Sequence, residues 1–454
     1  MEPNYILVIL MFLTFIGLLF TGFPIAFVLG GVAMLFTLVG YMADIYLDTV
    51  TGLDFNIIGM TVNRVYQLMS NWVLVAIPMF VFMGLMLDRS GIAERMMGSM
   101  QELFGKLRGG LAVTVCLIGI ILAASTGIIG ASVVLLGLLS LPSMLNQGYS
   151  KPIATGTVAA SGTLGILIPP SIMLVIMADQ LSLSVGDLFM GALIPGVILG
   201  LLYIAFILSY GLLRPQDLPL PPDRRELNLN IIFNVLKTII PPAGLILLVL
   251  GSIFAGVCTI TEASGLGAAG ATCLAGMNKK LGFGVIREVA IQTFKTVGYI
   301  FGIFVGATCF ALVLRLLGGD EFIEAMLTGL PLGPYGVLGI ILGSVFLLGF
   351  FLDWIEISLI ILPLLAPVVS SIGFDINGFG VVEQPELVWF TVLVAVSLQT
   401  SFLTPPVGFA IFFLMGVTPP EIKLIDTYKG VVPFVILQLI GLILVVILPE
   451  LVTW

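Results

Sequence analysis

The sequence predicts an all-α, polytopic membrane protein built from two repeated halves, and three observations carry that reading. The 454 residues are 59% hydrophobic and only 9% charged, whereas soluble domains carry roughly a quarter charged residues. Apolar runs near 20 residues, the length that crosses a bilayer as a helix, recur along the whole chain. A glycine- and hydroxyl-rich stretch closed by a double proline, Ala159–Pro170, recurs at Ala395–Pro406, 236 positions later.

That repeated stretch organises the chain. A Pro-Pro pair removes two backbone donors and is expected to end a helix. Inside hydrocarbon the freed carbonyls and N–H groups have no solvent, so they must face protein, water, an ion or a substrate. Matching breaks in two halves of a membrane chain point to a transporter binding site near the bilayer midplane. Pro169, Pro170, Pro405 and Pro406 are therefore read as helix breaks.

In chain order, spans are expected at about 5–21 and 24–40, with one long bent helix as the alternative, and at about 71–88. Residues 110–146 are apolar but too long for one helix and are interrupted at Ser125-Thr126-Gly127 and Gly130-Ala131-Ser132. They read as a re-entrant hairpin with its tip near 125–133. A broken span follows at about 152–178 and a fifth at about 188–212. Residues 1–213 form the first repeat, and 214–230, rich in Pro, Asp and Arg, form a cytoplasmic linker. In the second repeat, 231–454, spans fall at about 239–257, 260–277 and 296–318, a hairpin at about 335–371, a broken span at about 387–415 and a last one at about 430–451. Five spans and one hairpin per half is an odd number of crossings, so the halves have inverted topology.

Charge supports this count. With the N-terminus outside, the inner segments hold 15 of the 17 basic residues, as the positive-inside rule requires. The segment Met1-Glu2-Pro3-Asn4 lacks the basic start of a cleavable signal and reads as the opening of the first span. The four cysteines lie in apolar stretches without CxxC spacing and read as packed thiols. The absence of histidine excludes imidazole chemistry, and the absence of GxxxxGK[ST], HExxH and GxSxG argues against ATP hydrolysis and intramembrane enzymes.

Two constellations carry candidate chemistry. The first joins Ser125, Thr126, Gly127, Gly130 and Ser132 of the hairpin tip to Ser161, Gly162, Thr163 and Gly165 of the break. Hydroxyl oxygens, and carbonyls that glycines let approach, suit a small hard cation such as Na⁺, which neutral oxygens can hold where half-helix ends add partial charge. The bland alternative is ordinary helix packing by small residues. The second joins Asp353, Glu356 and Ser358 to Ser397, Thr400, Ser401 and Thr404. Carboxylates inside a membrane cost about 2.5–3.5 kcal/mol at mid-helix and are functional by default. They would attract an ion, couple a proton or cap a half-helix, unless the tip simply reaches outer solvent. Arg315 would meet an anionic substrate, or else snorkel to the outer interface near Asp320 and Glu321. Glu262 reads as a first-turn helix carboxylate.

Gly162-Thr163-Leu164-Gly165-Ile166-Leu167-Ile168-Pro169-Pro170-Ser171, Thr404-Pro405-Pro406-Val407-Gly408 and Thr261-Glu262-Ala263 resemble the large membrane subunit of TRAP (tripartite ATP-independent periplasmic) transporters over essentially the whole chain. The resemblance implies a Na⁺-driven secondary transporter of carboxylates such as dicarboxylic, 2-keto, 2-hydroxy or sugar acids. It implies an elevator motion of a transport domain against a scaffold. It further implies two partners, a small four-helix membrane subunit and a periplasmic substrate-binding protein, and placement in a bacterial or archaeal inner membrane. Under it, the first constellation holds one Na⁺, the second another, with the substrate between the tips. A stand-alone Na⁺/carboxylate symporter of related fold is the competing reading.

Overall fold

Backbone polar groups inside a bilayer must be paired within the protein, and helix is the form this chain takes throughout. A computed structural model describes residues 3–46, 49–54, 56–126, 129–221, 228–378 and 382–454, with positions 3, 57–58 and 123–126 described by backbone alone. No strand occurs among the described residues.

The first half contains α1 (Pro3–Leu19), α2 (Ile25–Tyr46), α3 (Asn56–Met69), α4 (Ala76–Arg89), α5 (Ile92–Phe104), α6 (Gly110–Thr126), α7 (Ile129–Asn146), α8 (Lys151–Thr163), α9 (Ile172–Gln180) and α10 (Val185–Leu213). The second half contains α11 (Leu229–Phe254), α12 (Ile260–Met277), α13 (Phe283–Leu316), α14 (Gly319–Thr328), α15 (Pro334–Leu348), α16 (Trp354–Glu356), α17 (Leu362–Ile372), α18 (Pro385–Leu403), α19 (Phe409–Met415) and α20 (Leu424–Ile447). Among the described residues eight helices are long and apolar enough to cross a membrane, and α3 with α4, bent by 62° between them, makes a ninth.

Packing partners match between the halves. α1 lies on α2 as α11 lies on α12; α2 lies on α13 as α12 lies on α4; α8 lies on α20 as α18 lies on α10. The short amphipathic helices follow suit, α5 against α11 and α14 against α1. Each begins at a glycine in the left-handed region, Gly91 (φ +69°) and Gly318 (φ +79°), a conformation that costs a residue with a Cβ roughly 1 kcal/mol or more.

The interior of the molecule is α18, 89% buried along its apolar stretch, whereas α11 (28%) and α20 (33%) are largely uncovered by the rest of the chain. A helix that is apolar all round must be covered all round, and α18 meets this with α10, α15, α17 and α20. α8 crosses α20 where Gly156 faces Gly430; a Cβ on either would overlap the other helix's backbone. The bulk of Trp389 is anchored by its indole N–H, which donates to the Val445 carbonyl of α20 at 2.8 Å.

Several expected boundaries are corrected. α13 begins at Phe283 instead of about 296, and α2 continues to Tyr46 instead of about 40. The added first turns of α13 carry Arg287, Glu288 and Lys295, and Glu288 pairs with Arg89 at 2.7 Å. Hydropathy marks the apolar stretch and misses the more polar turns by which a helix continues beyond it. α11 begins at Leu229 and runs unbroken through Pro241-Pro242, so a double proline does not by itself end a helix here. The carbonyl-bearing residues one turn back, Lys237 and Thr238, line a cavity of about 350 Å³ with Arg95 and Asn278.

Candidate functional site

The double prolines Pro169-Pro170 and Pro405-Pro406, by contrast, do interrupt their helices. After Thr163 the chain makes one tight turn, Leu164–Ile166, then runs irregularly until α9 starts at Ile172. The Ser171 hydroxyl donates to the Ile166 carbonyl across the gap, 2.6 Å. In the second half α18 ends at Leu403, Thr404 is extended, and α19 starts after Gly408, which sits at φ +46°. The Tyr428 hydroxyl of α20 donates to the Pro406 carbonyl at 2.8 Å. Both Pro169-Pro170 and Pro405-Pro406 are cis.

The first constellation is brought together only in part. Gly162 lies against Val133 of α7, with no room for a Cβ, so the hairpin arm and the break touch. Ser132 is buried on that arm. Gly130 instead faces the Phe413 ring of α19, where a Cβ would come within 3.1 Å. The first hairpin is thereby wedged between the broken helices of both halves. Ser125 and Thr126 end α6, and Gly127 lies outside the described residues. The Ser161 hydroxyl turns to Cys116 of α6, 3.1 Å away, and Thr163 donates to the Ala160 carbonyl, 2.9 Å. Gly165 is buried in the tight turn.

The second constellation divides by role. Ser397 and Ser401 donate to the Leu342 and Phe346 carbonyls of α15, at 3.1 and 2.7 Å, and so clamp α18 to the first hairpin arm. Thr400 and Thr404 donate to carbonyls one turn back. A hydroxyl used as donor keeps its oxygen lone pairs free to accept or ligate. At the tip, the Asp353 carboxylate accepts the Trp354 N–H at 2.8 Å and caps α16. Glu356, three residues on, is 0% exposed, and neither carboxylate oxygen has a hydrogen-bond partner among the described residues. Ser358 donates to the Trp354 carbonyl, 2.6 Å, in a wide π turn over Ile357–Ile361. α16 packs on α13 and α9.

Arg315 stands in the last turn of α13 with Nε 3.3 Å from Asp320, the two side chains 45% and 38% exposed. Such an exposed pair contributes at most about 1 kcal/mol. Glu262 accepts the Thr259 N–H while Thr259 Oγ1 accepts the Glu262 N–H, a reciprocal cap on α12.

Three residues escaped notice in the sequence. Gln399, Tyr203 and Gln438 are fully buried around the end of α8, and the Gln399 amide faces Thr163 at 3.5 Å. The Tyr203 hydroxyl lies near Gln438, Gln399 and Thr163 without a hydrogen bond of ordinary geometry. The available signal was a glutamine within the second break motif, polar where membrane residues are costly.

Helices interrupted inside the bilayer, with glycines, hydroxyls and a buried carboxylate at the interruptions, define a multi-pass membrane transporter of the discontinuous-helix class. The chain belongs to the family of the tripartite ATP-independent periplasmic transporter, DctM component, whose family model matches residues 12–451. It is 28% identical over 470 residues to the C4-dicarboxylate TRAP transporter large permease protein DctM of Vibrio cholerae, covering 98% of this chain and 97% of that protein. It is 27% identical over 437 residues to the sialic acid TRAP transporter large permease protein SiaM of the same organism, covering 96% and 95%. The crystal structure of the Alcanivorax borkumensis YdaH transporter shares its fold, with a TM-score of 0.61 at 12% identity over 88% of this chain and 90% of that one.

Proposed function

We propose that this TRAP large permease subunit imports a small organic anion together with Na⁺, accepting the anion from a periplasmic binding protein and working with a small membrane subunit. The similar permeases named for C4-dicarboxylates and for sialic acid make a carboxylate the preferred cargo. The tripartite family favours this assembly over a stand-alone symporter.

The observation that carries the reading is Glu356, fully buried with both oxygens unpartnered among the described residues, beside the capping carboxylate Asp353. A buried charge of that kind is stable only with a counterion or a proton. Na⁺ is the counterion that the second tip takes, held by Asp353 and Glu356 with Ser358 two residues on. The first ion lies between the α7 arm and the Ser161–Gly165 turn, and the anion between the two tips. The N-terminus is periplasmic, the membrane is the inner membrane, and the halves are inverted repeats. α1–α5 with α11–α14 form a scaffold, against which α6–α10 with α15–α20 slide as an elevator.

Uptake into proteoliposomes holding the permease, the small subunit and the binding protein tests this. Succinate or N-acetylneuraminate accumulation should require an inward Na⁺ gradient. Equal uptake when K⁺ replaces Na⁺ would refute the coupling.

A further inference from the structure

Of the 17 basic residues, two fall outside the segments that carry the rest: Arg64 on α3 and Arg315 on α13. The structure places both on the wall of one cavity of about 180 Å³. Its opposite wall is Leu359, Ile360 and Pro363, the residues that follow the Asp353–Ser358 tip, and Gln180 at the end of α9 also lines it. The cavity thus lies between the two groups of helices, immediately beside the second tip.

Its chemistry is one-sided. Arg64 is half-buried and has no ion-pair partner among the described residues. Arg315 meets Asp320 only through a partly exposed contact, 3.3 Å at Nε. The remainder of the wall is apolar apart from Gln180 and Thr308, while Ala307 and Ala311 keep the α13 side shallow. Two guanidiniums around a small space with low-dielectric walls repel each other and focus a positive potential into it. An anion relieves that repulsion, and the planar guanidinium fork matches a carboxylate. The Gln180 amide and Thr308 hydroxyl would serve a hydroxyl or keto oxygen next to the carboxylate.

We propose that Arg64 and Arg315 form an entry site that captures the carboxylate of the incoming anion at the scaffold and hands it to the adjacent hairpin tip. This rests on the transport reading above for its physiological meaning, but the site can be tested without transport. The small volume argues for a small molecule; an acidic side chain of a partner protein is the competing occupant.

In detergent, labelling of Arg64 and Arg315 by phenylglyoxal is followed by peptide mass spectrometry on the permease alone. Succinate or N-acetylneuraminate should slow labelling of both arginines several-fold, and uncharged succinamide should not. No protection by either carboxylate, or protection only by substrate-free binding protein, would overturn the proposal. In proteoliposomes, R64Q and R315Q should each raise KM about tenfold, the loss of one charge-assisted pair, with Vmax largely kept. R64K and R315K should recover most of the loss. A fall in Vmax at unchanged KM would also overturn the proposal, whereas loss of Na⁺ dependence with protection intact would count against the coupling alone.

Discussion

The Gln399 side-chain nitrogen lies 3.5 Å from Thr163 Oγ1, and 236 positions separate the two residues, the same spacing that separates Pro169 from Pro405. Under the two-repeat reading they are each other's counterparts. Counterparts touch only where the operation relating the halves leaves points nearly fixed, so the axis passes between the ends of α8 and α18, beside both breaks. Gln399 Oε1 and both polar atoms of Gln438 are buried without ordinary partners among the described residues, so this polar cluster is sensitive to change. Gln399→Ala is expected to destabilise by about 1–3 kcal/mol. Gln399→Ala combined with Thr163→Val should cost less than the sum of the single changes, since each removes the same contact. Thermal unfolding of the four proteins measures this, and strict additivity would dissolve the coupling.

The isolated carboxylate of Glu356 makes a second prediction. Glu356→Gln keeps the shape and removes the charge. The variant should melt no lower than the parent in Na⁺-free buffer, because an unpartnered buried charge is costly. It should also lose most of the stabilisation that Na⁺ gives, and uptake should drop by about tenfold or more. Melting curves across a Na⁺ series check this; an undiminished Na⁺ shift would remove Glu356 from the ion site.

The double prolines Pro241-Pro242 and Pro405-Pro406 invite a direct comparison. Pro241→Ala with Pro242→Ala restores two helical N–H donors inside a helix that is already continuous, so transport should stay within about twofold and stability should be unchanged or rise. Pro405→Ala with Pro406→Ala favours continuing α18 across a gap that the structure uses, and uptake should fall sharply. Parallel uptake assays decide; equal tolerance at both places would mean that the second interruption has no part in transport.

The crossing of α8 and α20 makes a structural prediction. Gly430→Val puts side-chain atoms where the Pro152 carbonyl stands. Neither helix can retreat easily, since α8 is buried along nearly its whole length. The expected loss is on the order of 3 kcal/mol, seen as a lower melting temperature and poor recovery by size exclusion. Gly244→Ala on α11, which has open space around it, should behave like the parent.

Much was readable from the residues alone. Apolar runs of membrane length and a scarcity of charge dictate spanning helices, because hydrocarbon leaves the backbone no other partner. The interruptions at Pro169 and Pro405 and the place of Glu262 in the first turn of α12 are legible for the same reason: each depends on a few neighbouring residues and the local backbone they allow. Pro241-Pro242 carries a similar local signal and yet lies in an intact helix. Its outcome is therefore set by packing beyond the local sequence: Lys237 and Thr238, one turn back, line a cavity with Arg95 and Asn278. The meeting of Thr163 with Gln399, the turn of Ser161 toward Cys116, and the shared cavity of Arg64 and Arg315 likewise join positions 45 to 251 residues apart. Hydropathy and helical period are short-range quantities and carry no record of such partners; helix packing alone decides them.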